Sequence, residues 1–521
     1  MPQPPQPPDR PPSSTAGGGR GRDRRRKFLV VGAAVAALLA TGAGVWAAVG
    51  YDGGRSDAGP RTRDTGRAGR HTDAAPTGPS GGTGTTSGRH GGESGPDPAR
   101  RPGDARVLFR KPAPQAPSTG ADIPGFWVMD GYVVKSVQNR VIAYGDHGEP
   151  KWTVKLRDAV CAVPESPTDG KVVIAYRGGG KDGCGRLALI DLDKGVKLWD
   201  RRAPYAAPSA PGAPTAGAAT QGASTPNALN APNAPTASGG DHLGMGLAQS
   251  GDLVGLSWYG GSAVLKVDDG RQVTPGAPGP GCGVDGFAGG RALLRAYSCD
   301  DGTAGLQRIN TSTDEVSWTY RVRKGYKVST IFSTAPVVVA LADDHHKSGG
   351  VLALSDRGKR RSTLDLGKRS YQPECGLDLF GTKLGGCRGV AVSSDTLYLP
   401  TELTLTRDGR PSSEIHAFDL RTGERKWAAK VPGRMLFPLS VEGGDLIAYE
   451  EPTDRTAGSV VGIGTGGGRP RTLLRLPSAT RVAEAGLASA TRVYRNGVFY
   501  IASDRLTGSG AAEEMIMAFC R

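Results

Sequence analysis

Ala417-Phe-Asp-Leu-Arg-Thr-Gly-Glu-Arg-Lys-Trp427 reads as a short apolar strand, a polar turn and a second strand opening toward its tryptophan. The Asp419 carboxylate can fold back onto the backbone amides that follow, and Gly423 can take the left-handed conformation the turn requires. The pattern recurs upstream as Ala188-Leu-Ile-Asp-Leu-Asp-Lys-Gly-Val-Lys-Leu-Trp199, with Asp191, Gly195 and Trp199 in the corresponding places. A shortened form ends at Trp152 (residues 143–152), and a degenerate one ends at Trp318 (residues 308–318). Weaker echoes lie at Val264–Gly270, Leu352–Gly358 and Val460–Gly464. Repeats of this length are supersecondary units that bury their apolar faces by stacking on their neighbours.

From Arg106 onward the chain consists of short β runs separated by turn residues, which predicts an all-β propeller. Eight units can be counted, with seven the alternative. They hold the β runs Tyr132–Lys135, Val172–Tyr176, Leu253–Leu256, Ala292–Tyr297, Val337–Leu341, Thr396–Leu399, Leu446–Tyr449 and Val498–Ile501. The last unit stops at Cys520-Arg521, one strand short. Arg106-Val-Leu-Phe-Arg110 resembles the post-turn strand Thr472-Leu-Leu-Arg-Leu476 and is the candidate to complete it. Such a closure removes free sheet edges.

The repeat resembles the tryptophan-docked repeat of the PQQ-type β-propellers, more distantly the WD40 type, over roughly residues 106–521. That family includes quinoprotein dehydrogenases and the non-enzymatic propeller subunit of the bacterial outer-membrane assembly machine. The resemblance implies the fold; it does not imply one activity, because function lives in sites grafted on folds. The dehydrogenases carry a vicinal Cys-Cys disulfide over the quinone, a calcium or lanthanide site and a catalytic Asp. This chain has no Cys-Cys dipeptide, and Asp191 and Asp419 belong to turns where local capping accounts for them. No catalytic residue, cofactor or metal is therefore assigned.

Other motifs give the same reading. Asp343-Asp-His-His346 is the densest group of potential metal ligands, but adjacent histidines in extended chain point apart, and a solvated hairpin turn accounts for it. Gly462-Ile-Gly464-Thr-Gly466-Gly467-Gly468 has dinucleotide-binding spacing, yet Arg469-Pro470-Arg471 and a β run follow instead of a helix, so it reads as a repeat turn.

The N-terminal fifth is different. Residues 1–27 are rich in Pro and Arg and read as a disordered cytoplasmic tail ending in Arg24-Arg-Arg-Lys27. Residues 28–50 carry no charge, and as a helix they would extend roughly 35 Å, enough for a hydrocarbon core of about 30 Å. The basic block on the N-terminal side predicts a single-pass anchor in the cytoplasmic membrane, with everything after Tyr51 extracytoplasmic. Residues 51–105 form a Gly/Ser/Pro-rich spacer, and 203–240 an Ala/Pro-rich loop inserted between the second and third units.

The net charge of +15 invites a nucleic-acid reading. Residues 1–51 contribute +5 and residues 52–105 add +1, so +9 is spread over the rest without a dense basic run. Nucleic-acid binding is not expected. The abundance of Arg, Ala and Gly is that of a high-GC, actinobacterial coding sequence. In an exported domain the seven cysteines read as three local disulfides: Cys161–Cys184, Cys282–Cys299 and Cys375–Cys387. Cys161 and Cys282 stand at equal spacing from the Ala-Tyr pair of their units and are expected in equivalent places. Cys520, at the Asp position of its repeat, is left as a free, half-buried thiol.

The function expected is a membrane-anchored, extracytoplasmic, non-catalytic scaffold for a protein or envelope partner. The alternatives are a ligand-binding sensor domain and a PQQ-dependent oxidoreductase.

Overall fold

In the computed structural model, residues 103–178, 183–204, 245–258, 261–375, 383–487, 489–508 and 513–521 are described. The expected tail, membrane helix, most of the spacer and nearly all of the 203–240 insertion lie outside them. Among the described residues no helix is long and apolar enough to cross a membrane.

Eight four-stranded antiparallel sheets follow one another. Blades 1 to 7 span 126–155, 160–202, 246–273, 282–321, 327–363, 391–430 and 436–475. Blade 8 takes three strands from 490–520 and its fourth, Arg106–Pro112, from the other end of the chain. Val107 pairs with Phe519 and Arg110 with Met517, so the predicted closing strand is in place. First strands touch one another between blades 3 and 4, 6 and 7, 7 and 8, and 8 and 1, and the first strands of blades 3 and 5 touch the second strands of blades 2 and 4. The first strands thus surround the axis and the fourth strands form the rim. Between blades the core is Val, Leu, Ile and Ala, with few aromatic side chains, as the composition requires.

The repeat motif supplies the contacts between blades. Asp191 Oδ1 accepts the amides of Asp193 (3.1 Å) and Lys194 (2.9 Å), and Asp419 Oδ1 those of Arg421 (2.7 Å) and Thr422 (3.0 Å). Gly195 and Gly423 take φ of 67° and 84°. The tryptophan of one blade then covers the turn of the next. Trp199, Trp318 and Trp427 donate their indole N–H to the carbonyls of Val267, Asp356 and Thr465 at 2.8, 2.9 and 2.8 Å. Trp152 lies flat on Gly195, where an added Cβ would stand 2.3 Å from its Cγ.

A β-bulge aims each tryptophan. Register slips one residue before Trp152, Trp199, Trp318 and Trp427, so Lys151, Leu198, Ser317 and Lys426 are unpaired in their ladders. Bulges sharpen the local twist and redirect the next side chain. The same slip precedes Phe109 in the closing strand, and Phe109 lies on Gly148 of blade 1. It precedes Ser362 in blade 5, whose hydroxyl donates to the Leu420 carbonyl at 2.8 Å. Phe109 and Ser362 therefore take the tryptophan's place.

Three expectations change in detail. The blade 7 echo ended at Gly464, but the glycine beneath Trp427 is Gly467, because the Gly-rich turn is longer there. Cys161 and Cys282 are not equivalent: Cys161 pairs with Cys184 in the loop before the third strand of blade 2, and Cys282 pairs with Cys299 directly across two strands of blade 4. The first turn of blade 2 (163–170) is longer than that of blade 4 (289–292), so equal sequence spacing places the two cysteines at different heights. Gly103–Ala105, the end of the expected spacer, already pairs with blade 7: the Ala105 amide bonds the Arg475 carbonyl at 2.9 Å.

Candidate functional site

The connections from the rim of one blade to the axis of the next are short at 156–159, 322–326 and 431–435, whereas the one from blade 5 to blade 6 runs from 364 to 390. Its central part is a hairpin. The Glu374 and Arg388 amides exchange bonds with each other's carbonyls at 2.9 and 2.8 Å, and Cys375–Cys387 locks the neck beside them. Below the neck, Lys383 pairs with Phe287 of blade 4, and the Ile331 amide of blade 5 bonds the Leu384 carbonyl at 2.7 Å. Leu384 is buried in the apolar cluster of blades 4 and 5. At the neck, Arg388 pairs with Asp504 of blade 8 at 2.6 Å. Blades 4 and 8 are opposite in a ring of eight, so the hairpin crosses the axis.

Charges of alternating sign run from the hairpin into the ring. Lys135 of blade 1 lies 3.9 Å from Asp504, which meets Arg388; Arg388 lies 3.9 Å from Glu374. Glu374 lies 3.7 Å from Arg492 of blade 8, which stands 3.3 Å from Glu451. Three cations and three anions thus compensate one another. Lys135 is fully buried; its ammonium donates to the carbonyls of Ile123 and Gly125, and burial, partly offset by Asp504, lowers its pKa to about 8. Burial raises the Glu451 carboxyl against the pull of Arg492.

From the first turn of blade 2, Glu165 points at the hairpin. An added Cβ on Gly385 or Gly386 would stand 2.6 or 2.8 Å from its Oε1, and Gly386 also takes φ of 82°. Its side chain keeps contact with water but protein surrounds it, and the loss of bulk solvent raises its pKa, opposed by Lys383. The cavity between Glu165, Phe287 and Lys383 measures only about 10 Å³.

Where the hairpin leaves blade 5, Tyr371 O–H donates to His416 Nδ1 at 2.8 Å, and His416 Nε2–H donates to Glu414 at 3.2 Å. Burial keeps the imidazole below its ordinary value and the phenol above its own, so both are neutral near pH 7. A phenol pushed upward is a poor nucleophile, and Tyr371, edge-on to His416 and Phe418, braces the base of the hairpin.

Asp191, Gly195, Trp199, Asp419, Gly423, Trp427, Trp152 and Trp318 all lie in the outer turns and rim, away from the axis. Asp343 caps its own hairpin turn, accepting the amides of His345 and Lys347 at 2.9 and 2.8 Å. Among the described residues no group of three or more His, Cys, Asp or Glu could hold a metal ion. Cys520 is half-buried and unbridged, with Arg106 Nε 3.4 Å from its sulfur. Of the axial residues, the sequence singled out only Cys375 and Cys387. Lys135, Glu374, Arg388, Arg492 and Asp504 went unnoticed because their partners are remote in the chain; an unusually long stretch between two units was the one available signal.

No protein-family model matches the chain, and no curated protein matches it in sequence. Among solved structures it is similar to BamB from Moraxella catarrhalis, at 15% identity and a TM-score of 0.40, covering 78% of this chain and 96% of that one. It is similar to quinohemoprotein alcohol dehydrogenase from Comamonas testosteroni at 13% identity and 0.41, covering 80% and 76%. A europium-containing methanol dehydrogenase is similar at 12% identity and 0.41, covering 80% and 93%.

Proposed function

We propose that this chain is a non-catalytic scaffold, anchored in the cytoplasmic membrane by residues 28–50 and displaying its propeller outside to a protein or envelope partner. One observation carries the reading: the two described arms of the chain's own hairpin, 371–375 and 383–390, reach from blade 4 to blade 8 with their charges compensated inside the ring. The axis of a propeller is where a buried ligand would gain most contact, and here the space goes to a disulfide-locked brace. What remains for recognition is the rim and the turns. The uncharged stretch at 28–50 behind a basic block supports the anchor.

Two measurements on the full-length chain, extracted in mild detergent, test the reading. Calorimetric titration with PQQ and calcium is expected to stay flat; saturable micromolar binding, with dye reduction on adding alcohols, would replace the scaffold by an oxidoreductase. In intact cells, photo-cross-linkers placed along the rim are expected to yield discrete protein adducts, and only from outside the membrane.

A further inference from the structure

Blade 3 differs from the other seven in its fourth strand. Gln272–Val273 is only two residues long, whereas the outer strands of blades 1, 2, 4, 6 and 8 have six or seven. The sequence explains the stop. Thr274-Pro275-Gly-Ala-Pro278-Gly-Pro280 follows, and proline cannot donate to a ladder. The chain turns off toward blade 4, where the Gly276 carbonyl accepts the Arg295 guanidinium at 2.5 Å.

The third strand of blade 3, Gly261–Lys266, is therefore covered only at Val264 and Leu265. The Lys266 amide bonds outward to Arg271, so by antiparallel alternation the backbone groups of Ser262 also point outward, where no strand among the described residues pairs with them. A cleft of about 420 Å³ lies between blade 3 and the rim of blade 2, with Trp199, Arg201, Arg202 and Pro204 on one wall and Leu265, Gly270 and Gln272 on the other. Arg201 and Arg202 are exposed, and neither has an ion-pair partner among the described residues. The one carboxylate in the cleft, Asp200, is already held by Arg186, Lys197 and the Tyr176 hydroxyl.

We infer that this cleft binds an extended acidic peptide segment, which adds to blade 3 as its missing outer strand, pairs with Ser262 and directs carboxylates to Arg201 and Arg202. The open edge supplies main-chain pairing and the two arginines select the charge. The inference rests on the docking reading above and names the chemistry of one partner.

The test uses the full-length chain in detergent and a fluorescein-labelled hexapeptide of alternating Glu and Val, followed by anisotropy. Its strand form places three carboxylates on one face and three valines on the other. Saturable binding is expected, weakened roughly tenfold or more in R201E/R202E. Ser262→Pro, which removes the outward amide, is expected to abolish it while rim cross-links elsewhere persist. The same peptide with two valines replaced by proline is expected not to bind. Absence of saturable binding, equal binding of the proline-containing peptide, or full competition by dextran sulfate would overturn the inference; the last two would mark a general anion surface. Persistent discrete adducts from other rim positions would in any of these cases leave the scaffold reading standing. Unchanged thermal melting of R201E/R202E keeps a binding loss separate from unfolding.

Discussion

A glycine in this fold can be required for its backbone angle or for what lies on top of it, and two positions separate the causes. Gly195 takes φ of 67° beneath Trp152, and a Cβ there would stand 2.3 Å from the indole. Gly325 takes φ of 81° with nothing within 4 Å. Both alanine variants bear the left-handed backbone cost, about 1–2 kcal/mol. Only Gly195→Ala must also push a tryptophan off the neighbouring blade, which adds about 1–3 kcal/mol. Denaturant unfolding of the two variants is expected to show the larger loss at Gly195. Equal losses would mean that the docked indole contributes little to holding blades 1 and 2 together.

At the scale of elements, the Asp-x-x-x-Gly turn was legible because everything it needs lies within a few residues: Asp191 and Asp419 bond amides two and three positions on. The tryptophan repeat and the count of units followed from the same local signal. Its replacements were not legible, since Ser362 and Phe109 dock through a bulge that only the pairing register reveals. The axial hairpin was seen only as a pair of cysteines, because Glu374, Arg388, Asp504 and Lys135 come together across the ring. Cys375–Cys387 closes a short loop, with a sequence separation of 12, and chain-entropy reasoning gives such a bridge about 3 kcal/mol. Replacing both cysteines by serine is expected to leave the blades folded, because the blades' own strands supply most of the ring's apolar clusters. Limited proteolysis should then cut first within 371–390. A double variant as resistant there as the parent would show that the salt bridges at Arg388 and Arg492 hold the hairpin without the disulfide.

For the molecule as a whole, the ring closes because the two ends of the domain share blade 8. Met515, Ile516, Met517, Ala518 and Phe519 are all at most 3% exposed, flanked by Val498–Ser503 on one side and Arg106–Pro112 on the other. Removing the closing strand would turn this run into an uncovered apolar edge, the feature that pairs with a second chain. It would also take Phe109 off Gly148, a contact whose loss alone costs about 3–5 kcal/mol for a buried phenylalanine. A full-length chain with an internal deletion of residues 103–112 is therefore expected to melt earlier and to elute as dimers or larger species in size exclusion with light scattering. A synthetic peptide spanning Asp104–Ala113, added in trans, should restore the parent's elution and melting temperature by filling the vacant edge, whereas the same peptide with Phe109 replaced by alanine should do so poorly. A deleted chain with the parent's elution and melting temperature would mean that the axial hairpin, tied to blades 4, 5 and 8, holds the circle without help from the rim.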